Sequence, residues 1–315
     1  MRPLPDLGSY DAPSTAEIAQ RAGIQAADVV RFDGNTSPQP PAIARAELLN
    51  DELRRIHTYP HGGYLELVPA IARYVGVGPD NIVLGAGADD VIMLAIRSFA
   101  GPGDRVAIAN DPTYPLFRIA VALAGAEVGD DDPVLTVSCR PNNPTGELGS
   151  LPTVRPLLVD EAYFEYSGVT ALELIEEDVI LVRTFSKAFG LAGARVGYAV
   201  ARDDIAADLN RRQGPAPVST LSAALALAGL ASPPNVAPLI AERERVALAL
   251  RELGLEPLPS HANFLAVPTE RARDLADALL SKGLPVRPYA GGIRITIRSR
   301  HDDDRLLHAL GEAVA

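Results

Sequence analysis

The sequence predicts an α/β fold in which a mostly parallel sheet lies between two layers of helices. Short apolar runs of strand length alternate with helical stretches through the middle of the chain. The runs that predict the large sheet lie at 82–84, 105–109, 134–138, 157–159, 180–182 and 196–200. After about residue 210 the pattern changes, because two long helices at 218–230 and 236–253 follow one another.

We therefore expect three parts in this chain. They are an N-terminal arm at 1–40 that packs with the small domain, a large domain at 41–215 and a small α+β domain at 216–315. The arm is rich in proline and has one short helical patch near 16–22. The large domain opens with helices at 42–56 and 65–74. In the small domain the pattern predicts strands at 263–267, 286–288 and 293–297 and helices at 270–280 and from 302.

Composition limits the class of protein. The 315 residues are 47% hydrophobic and 22% charged, which is typical of a globular chain. A net charge of −11 without a basic stripe argues against nucleic acid as a partner. The longest apolar runs are too short for a membrane span, and the N-terminus lacks a signal-peptide core. The single cysteine, Cys139, excludes an intramolecular disulfide and a cysteine-based zinc site. We expect a cytoplasmic protein without a metal.

A glycine-rich stretch, Gly85–Asp90, joins the first strand to a helix. Free backbone N–H groups at the start of a helix can bind an anion such as a phosphate. An ordinary turn with an aspartate cap has the same composition, and the stretch by itself favours that interpretation.

Two further polar clusters follow strands. In the segment Pro141–Gly146, prolines hold an asparagine as a fixed hydrogen-bonding group. Asp160 ends another strand, three residues before Tyr163. A P-loop ATPase also has an acid at the end of a strand, where it binds Mg²⁺. The chain, however, lacks the P-loop motif G-x-x-x-x-G-K-S/T. The carboxylate suits a position opposite a protonated ring nitrogen.

Lys187 follows the strand at 180–182, in the segment Thr184–Arg195. The chain has 29 basic residues, and only Lys187 and Lys282 among them are lysines. A guanidinium cannot act as a nucleophile near neutral pH, whereas a lysine in an apolar pocket can lose its proton and form an imine. An incidental surface lysine is the alternative, and these counts alone do not decide between the two.

Taken in order, these clusters resemble those of class I and II pyridoxal-phosphate (PLP) aminotransferases of fold type I, most closely the histidinol-phosphate aminotransferase branch. The resemblance extends over nearly the whole chain. It includes the pair Tyr59–Pro60, the segment Ser260–Phe264 and the segment Ile293–Thr296. It implies a homodimeric transaminase that uses pyridoxal 5′-phosphate, a small-molecule amino donor and a 2-oxo acid acceptor. Its closest branch implies histidinol phosphate as the donor and 2-oxoglutarate as the acceptor, in histidine biosynthesis.

The resemblance also implies roles for residues. Lys187 would hold the cofactor as an imine and shuttle a proton, Asp160 would pair with the pyridine nitrogen, and Tyr163 would hydrogen-bond the ring oxygen. The other implied cofactor-binding residues are Gly87, Ala88, Asp89, Tyr114, Asn143, Thr184, Ser186, Arg195 and, from the partner subunit of a dimer, Tyr59. The implied substrate-binding residues are Arg294, Arg287, Asn35 and Tyr10. Arg287 and Arg294 could instead be strand arginines paired with surface acids.

Several segments depart from the family pattern. The stretches at 115–142 and 147–159 are shorter than usual, and Gly34–Pro38 replaces the usual Asn-Glu-Asn-Pro. These changes leave alternatives open for the reaction. One is a threonine-phosphate decarboxylase of cobalamin synthesis, and another is an aromatic amino acid aminotransferase. A silent PLP-binding relative is the non-enzymatic alternative.

Overall fold

The computed structural model describes residues 13–41, 43, 46–60 and 64–314. Tyr10 lies outside the described residues. Seven strands form the large sheet: β1 (Ile82–Gly85), β2 (Arg105–Ile108), β3 (Glu127–Val128), β4 (Leu135–Cys139), β5 (Leu157–Asp160), β6 (Val179–Thr184) and β7 (Gly197–Val200). Their order is β1-β7-β6-β5-β4-β2-β3, and only β7 runs antiparallel to its two neighbours. The predicted α/β class and the mostly parallel sheet are confirmed.

Helices cover both faces of this sheet. The helices of the described part are α1 (Thr15–Ala22), α2 (Ala46–Arg54), α3 (Leu67–Val75), α4 (Ala88–Phe99), α5 (Leu116–Ala124), α6 (Phe164–Ser167), α7 (Asp203–Arg212), α8 (Thr220–Ala231), α9 (Ala237–Glu252), α10 (Ala272–Leu280) and α11 (Arg300–Val314). Side chains of α4, α5 and α7 bury one face, and side chains of α3 and α8 bury the other. Within the described part, no helix has both the length and the apolar character needed to cross a bilayer.

The two stretches that are shorter than usual, at 115–142 and 147–159, contain little regular structure outside α5 and their strands. β3 has two residues, both exposed, and it lies at the edge of the sheet beside β2. The connection from β4 to β5 contains no helix, so residues 140–156 cross between two parallel strands as irregular chain. The irregular crossover leaves the Pro141–Gly146 segment close to the edge of the sheet.

A second, antiparallel sheet has the order β8-β10-β9, where β8 is Phe264–Pro268, β9 is Arg287–Tyr289 and β10 is Gly292–Thr296. Its apolar core with α9, α10 and α11 includes Phe32 from the N-terminal segment. The backbone of Phe32 donates to Pro285 at 3.0 Å and accepts from Thr296 at 2.8 Å. α8 follows the predicted boundary at residue 216, yet it packs with α2 and α3 beside the large sheet. The exact division into domains stays a prediction.

Six strands of the large sheet end at one edge. β2, β3, β4, β5 and β6 run parallel, and β1 points the same way because it pairs antiparallel with β7. β7 begins there, and Gly197 lies opposite both Gly85 and Thr184. The polar clusters that follow these strands therefore meet at the carboxyl edge, where ligands of such sheets bind.

Gly197 lets α4 approach this edge. A methyl group on Gly197 would lie 2.3 Å from the backbone nitrogen of Ala88 and 2.5 Å from the carbonyl carbon of Gly87. Both contacts are with backbone, so only a shift of the start of α4 could relieve them.

We expect Gly197→Ala to lower the free energy of unfolding by roughly 1–3 kcal/mol, because overpacking a rigid contact costs that much. Gly214→Ala is the matched control, since a methyl group there meets no atom within 4 Å. It should stay within about 0.5 kcal/mol of the wild type. Urea unfolding measures both, and equal stability of the two variants would contradict the close approach.

Candidate active site

Lys187 lies in the loop after β6, with its amine directed toward the converging strand ends. Its Nζ is 5.8 Å from the centre of the Tyr163 ring. Burial lowers the pKa of Lys187 to about 8, and the positive charges of Arg294 and Arg195 add to this effect. Asp89 and Asp160 oppose it. The amine can therefore lose its proton near neutral pH, as a nucleophilic lysine must.

Asp160 is the last residue of β5 and is only 4% exposed. Its Oδ1 accepts the N–H of Ala162 at 3.0 Å, and the thiol of Cys139 lies 3.7 Å from Oδ2. Burial raises the pKa of Asp160 to about 6, and the nearby charge of Asp89 adds to this. A buried carboxylate with these weak partners is suited to receive a cationic group.

Tyr163 and Asn35 are joined in the buried interior of the site. Nδ2 of Asn35 donates to the phenol oxygen of Tyr163 at 3.0 Å. The hydroxyl of Thr296 donates to Oδ1 of Asn35 at 3.0 Å, and Nδ2 of Asn263 donates to the Asn35 carbonyl at 3.1 Å. The N-terminal segment and the small sheet thus hold the phenol of Tyr163 in place.

The Pro141–Gly146 segment is held by Asn142 and presents Asn143. Asn142 donates to the carbonyl of Pro112 and to Thr145, both at 3.0 Å. Oδ1 of Asn143 accepts Nη1 of Arg294 at 2.5 Å. Asn142 fixes the loop, and Asn143 connects it to the small sheet.

Arg294 lies on β10 and is 4% exposed. Its Nη2 donates to the carbonyl of Asp33 at 2.6 Å, while its Nε is buried without a partner among the described residues. Arg287 lies opposite Arg294 on β9, so both side chains leave the same face of the sheet. Arg287 is half-buried. The two arginines thus place positive charge on one face of the small sheet, where Arg294 contacts Asn143.

An anion cradle lies at the start of α4. Gly87 precedes this helix with φ 93°, and no side chain caps the first turn. Nη2 of Arg195 donates to Asp89 at 3.0 Å, its Nη1 lies 3.5 Å from the Ser186 hydroxyl, and a methyl on Gly87 would lie 2.6 Å from Nη2. Free helical N–H groups, a hydroxyl and a guanidinium together suit a phosphate.

The remaining predicted residues border this cradle or lie apart from it. Ala88 is the first residue of α4, and the hydroxyl of Thr184 accepts the N–H of Ser186 at 3.1 Å. Tyr114 donates to Asp89 at 3.1 Å. Tyr59, in contrast, is 81% exposed on the surface.

Sequence reasoning missed several residues that hold the site. Asn142 was not distinguished from Asn143, although only its amide is tied to the neighbouring loop. Glu161 and Arg183 form a buried ion pair directly beneath the site. A charge interrupting an otherwise apolar strand, as Arg183 does in β6, was the available signal.

The family model for aminotransferases of class I and II matches residues 26–130 and 131–312. The chain belongs to this family. A histidinol-phosphate aminotransferase of Roseiflexus castenholzii is 32% identical over 94% of this chain and 92% of that protein. The one from Staphylococcus haemolyticus is 32% identical over 98% and 97%. The crystal structure of histidinol-phosphate aminotransferase from Sinorhizobium meliloti in complex with pyridoxal-5′-phosphate has a TM-score of 0.84 and 27% identity, over 97% of this chain and 95% of that one.

These similarities confirm the predicted family and make the chain a PLP-dependent transaminase. Its fold is that of fold type I.

The raised pKa of Asp160 predicts a pH-dependent stability difference. In the cofactor-free protein the folded state holds this proton up to about pH 6, whereas the unfolded chain releases it near 3.8. Stability from this group therefore falls as pH rises from 4 to 6. The free energy of unfolding of Asp160→Asn, measured relative to that of the wild type, should therefore rise by roughly 2–3 kcal/mol from pH 4 to pH 6. Chemical unfolding at several pH values measures the difference, and a constant difference would contradict the raised pKa.

Proposed function

We propose that this enzyme uses pyridoxal 5′-phosphate to transfer the amino group of histidinol phosphate to 2-oxoglutarate. The observation that carries the proposal is the buried amine of Lys187, which lies near the Tyr163 ring and within electrostatic range of Asp160 and of Arg195 in the anion cradle. The substrate assignment is supported by the similarity to histidinol-phosphate aminotransferases over more than nine-tenths of the chain.

The residues present fit the cofactor. Asp160 is a buried acid that has no cationic hydrogen-bond partner among the described residues, so it suits the ring nitrogen. The deprotonatable Lys187 suits the aldehyde. The uncapped start of α4, Ser186 and Arg195 suit the phosphate. The cofactor supplies an electron sink for the charge left at the substrate carbon when its proton is removed.

Lys187 would hold the cofactor covalently and, once displaced, carry the proton removed from the substrate carbon. Its pKa of about 8 allows it to take and release that proton near neutral pH. Asp160 would keep the ring nitrogen protonated by pairing with it. Because Asp160 is buried, this pairing is stronger than it would be at the surface.

Other side chains would hold the ring. Tyr163 and Asn143 would hydrogen-bond the ring oxygen, and Tyr114 would stack on the ring face. Gly87, Ala88, Asp89 and Thr184 would complete the phosphate contacts through the helix start and the β6 loop. Asp89 now pairs with Arg195, so a phosphate must compete with it for the guanidinium.

Arg294 and Arg287 would hold the anionic end of the substrate. The Nε of Arg294, which has no partner within the described part of the chain, is a buried donor that a phosphate or carboxylate oxygen can satisfy. Histidinol phosphate and 2-oxoglutarate both carry such oxygens, so one pair of arginines can serve both half-reactions. Asn35 and Tyr10 stay predictions as further substrate contacts, although the amide of Asn35 is already bonded to Tyr163 and Thr296.

We also propose a homodimer in which Tyr59 reaches the phosphate of the cofactor in the other subunit. The segment around Tyr59 exposes several large apolar side chains, as a subunit interface would: Leu53, Ile56 and Leu65 are each more than half exposed. The molar mass in solution tests this, and a monomer that is fully active would contradict it.

The two lysines provide a matched test of cofactor binding. Wild type and Lys282→Ala should both take up PLP covalently, because Lys282 is an exposed residue paired with Glu312. Lys187→Ala should show no covalent uptake and lose activity by at least about 1,000-fold, since the nucleophile and proton carrier are gone. Visible absorbance and borohydride trapping followed by mass spectrometry measure the uptake. Labelling of Lys282, or of neither lysine, would contradict the assignment.

A donor panel tests the substrate. With 2-oxoglutarate, kcat/KM should be at least about tenfold higher for histidinol phosphate than for phenylalanine, because a phosphate offers more charged oxygens to Arg287 and Arg294 than a single carboxylate does. Arg287→Gln should reduce the ratio of kcat/KM for histidinol phosphate to that for phenylalanine, because one of the two positive charges is removed. Glutamate formation is the measurement.

Other results of the panel identify the rivals. CO₂ release from threonine phosphate would indicate a decarboxylase, and a preference for phenylalanine an aromatic aminotransferase. Bound PLP without any turnover would indicate a silent relative.

A further inference from the structure

Two buried charges, Arg183 and Glu161, lie beneath the site. Nε and Nη2 of Arg183 donate to Oε2 of Glu161 at 3.0 and 2.9 Å, and the side chains are 2% and 1% exposed. Nη2 also donates to the Thr170 hydroxyl at 2.8 Å, and the guanidinium carbon lies 3.6 Å from the centre of the Phe164 ring. Oε1 of Glu161 accepts the N–H of Ala171 at 2.7 Å. The pair is extensively hydrogen-bonded and shielded from water.

Each member is adjacent in sequence to a residue of the site. Glu161 follows Asp160 at the end of β5, and Arg183 precedes Thr184 at the end of β6. The N–H of Glu161 donates to the carbonyl of Val182 at 2.8 Å and so extends the β5–β6 ladder. Because neighbouring side chains on a strand point to opposite faces, the ion pair joins the two strand ends from the face opposite the site.

Stability alone does not account for this pair. Removing two charges from water is costly, and well-packed apolar side chains of similar volume are often as stabilising as a buried ion pair. The surrounding cluster is apolar and includes Phe185, Leu181 and Tyr198. What the pair adds is geometry, because a guanidinium that donates two hydrogen bonds to one carboxylate oxygen tightly restricts where both strand ends can lie.

We propose that the Arg183–Glu161 pair positions the active site by setting the spacing between the strand end that carries Asp160 and the one that leads to Lys187. The inference rests on the proposed function, in which these two residues hold one cofactor ring from two strands. Neither member of the pair touches reacting atoms, so both are positioning residues. A misplacement of about 1 Å at such a site can cost on the order of 100-fold in rate.

Two bonds from the pair extend this role to Tyr163. Glu161 accepts the Thr170 hydroxyl at 2.9 Å in addition to the Ala171 N–H. These bonds fix the chain that leaves α6, and Tyr163 immediately precedes α6. The pair therefore sits behind three residues of the site.

The test removes both charges of the pair together. In Arg183→Met/Glu161→Gln the volumes are similar, and neither member leaves its own partner's charge unpaired; the nearby carboxyl of Glu165 can be protonated, because burial raises its pKa to about 7. We expect this variant to fold and bind PLP, and its kcat per bound PLP to fall at least about tenfold. The KM for the amino donor should change less than about threefold, because Arg294 lies on the other sheet and is unaffected. Steady-state kinetics normalised to bound PLP measure both constants.

Two further variants complete the design. Arg211→Met removes an exposed arginine that pairs with Asp208 and should leave kcat per bound PLP unchanged. Thr170→Val removes the hydroxyl shared by Arg183 and Glu161 while leaving both charges, and should give a smaller fall in the same constant. If the double variant does not fold, Thr170→Val tests the positioning role by itself, and an unchanged kcat per bound PLP in this variant would overturn that role.

An unchanged kcat per bound PLP in the folded double variant would overturn the positioning role, since a merely structural pair would alter only the amount of active protein. A wild type that takes up no PLP would overturn the proposed function, and this inference with it. A wild type that is active on another donor would overturn only the substrate assignment, and the same kinetics with that donor would still test the pair.

Discussion

The proposed chemistry depends on keeping the amine of Lys187 out of water and in balance with the charges around it. Burial and two guanidinium groups, from Arg294 and Arg195, disfavour its protonated form, while Asp89 and Asp160 favour that form. The resulting pKa of about 8 is a compromise among groups from both sheets. A fully exposed lysine would stay protonated, and one without nearby acids could not regain its proton easily.

This balance requires that distant parts of the chain approach one another closely. Gly197 lets the start of α4 lie against β7, and Gly87 leaves room for the guanidinium of Arg195. The anion cradle and the lysine loop therefore share one edge of the sheet. Beneath them, the buried pair of Arg183 and Glu161 joins the two strands that carry the acid and the lysine.

The small sheet takes part in the same site. Arg294 bonds to Asn143 in the loop after β4 and to Asp33 in the N-terminal segment, so the small sheet and the edge of the large sheet share one hydrogen-bonded network. Asn35 continues this network to Tyr163. Movement of the small sheet relative to the large one would therefore displace the phenol of Tyr163 and the side chain of Asn143.

The sequence by itself determined the fold class, most elements and the residues at the strand ends, because apolar periodicity and strand-end polarity are local properties. Only the tertiary structure decided the antiparallel direction of β7, the two exposed residues of β3 and the partners of Asn35 and Arg183. Asn35 and Thr296 are 261 positions apart, and no local pattern encodes such a contact. Strand direction and side-chain pairing are set when the whole chain packs, since the free energy of each contact depends on what the rest of the fold buries.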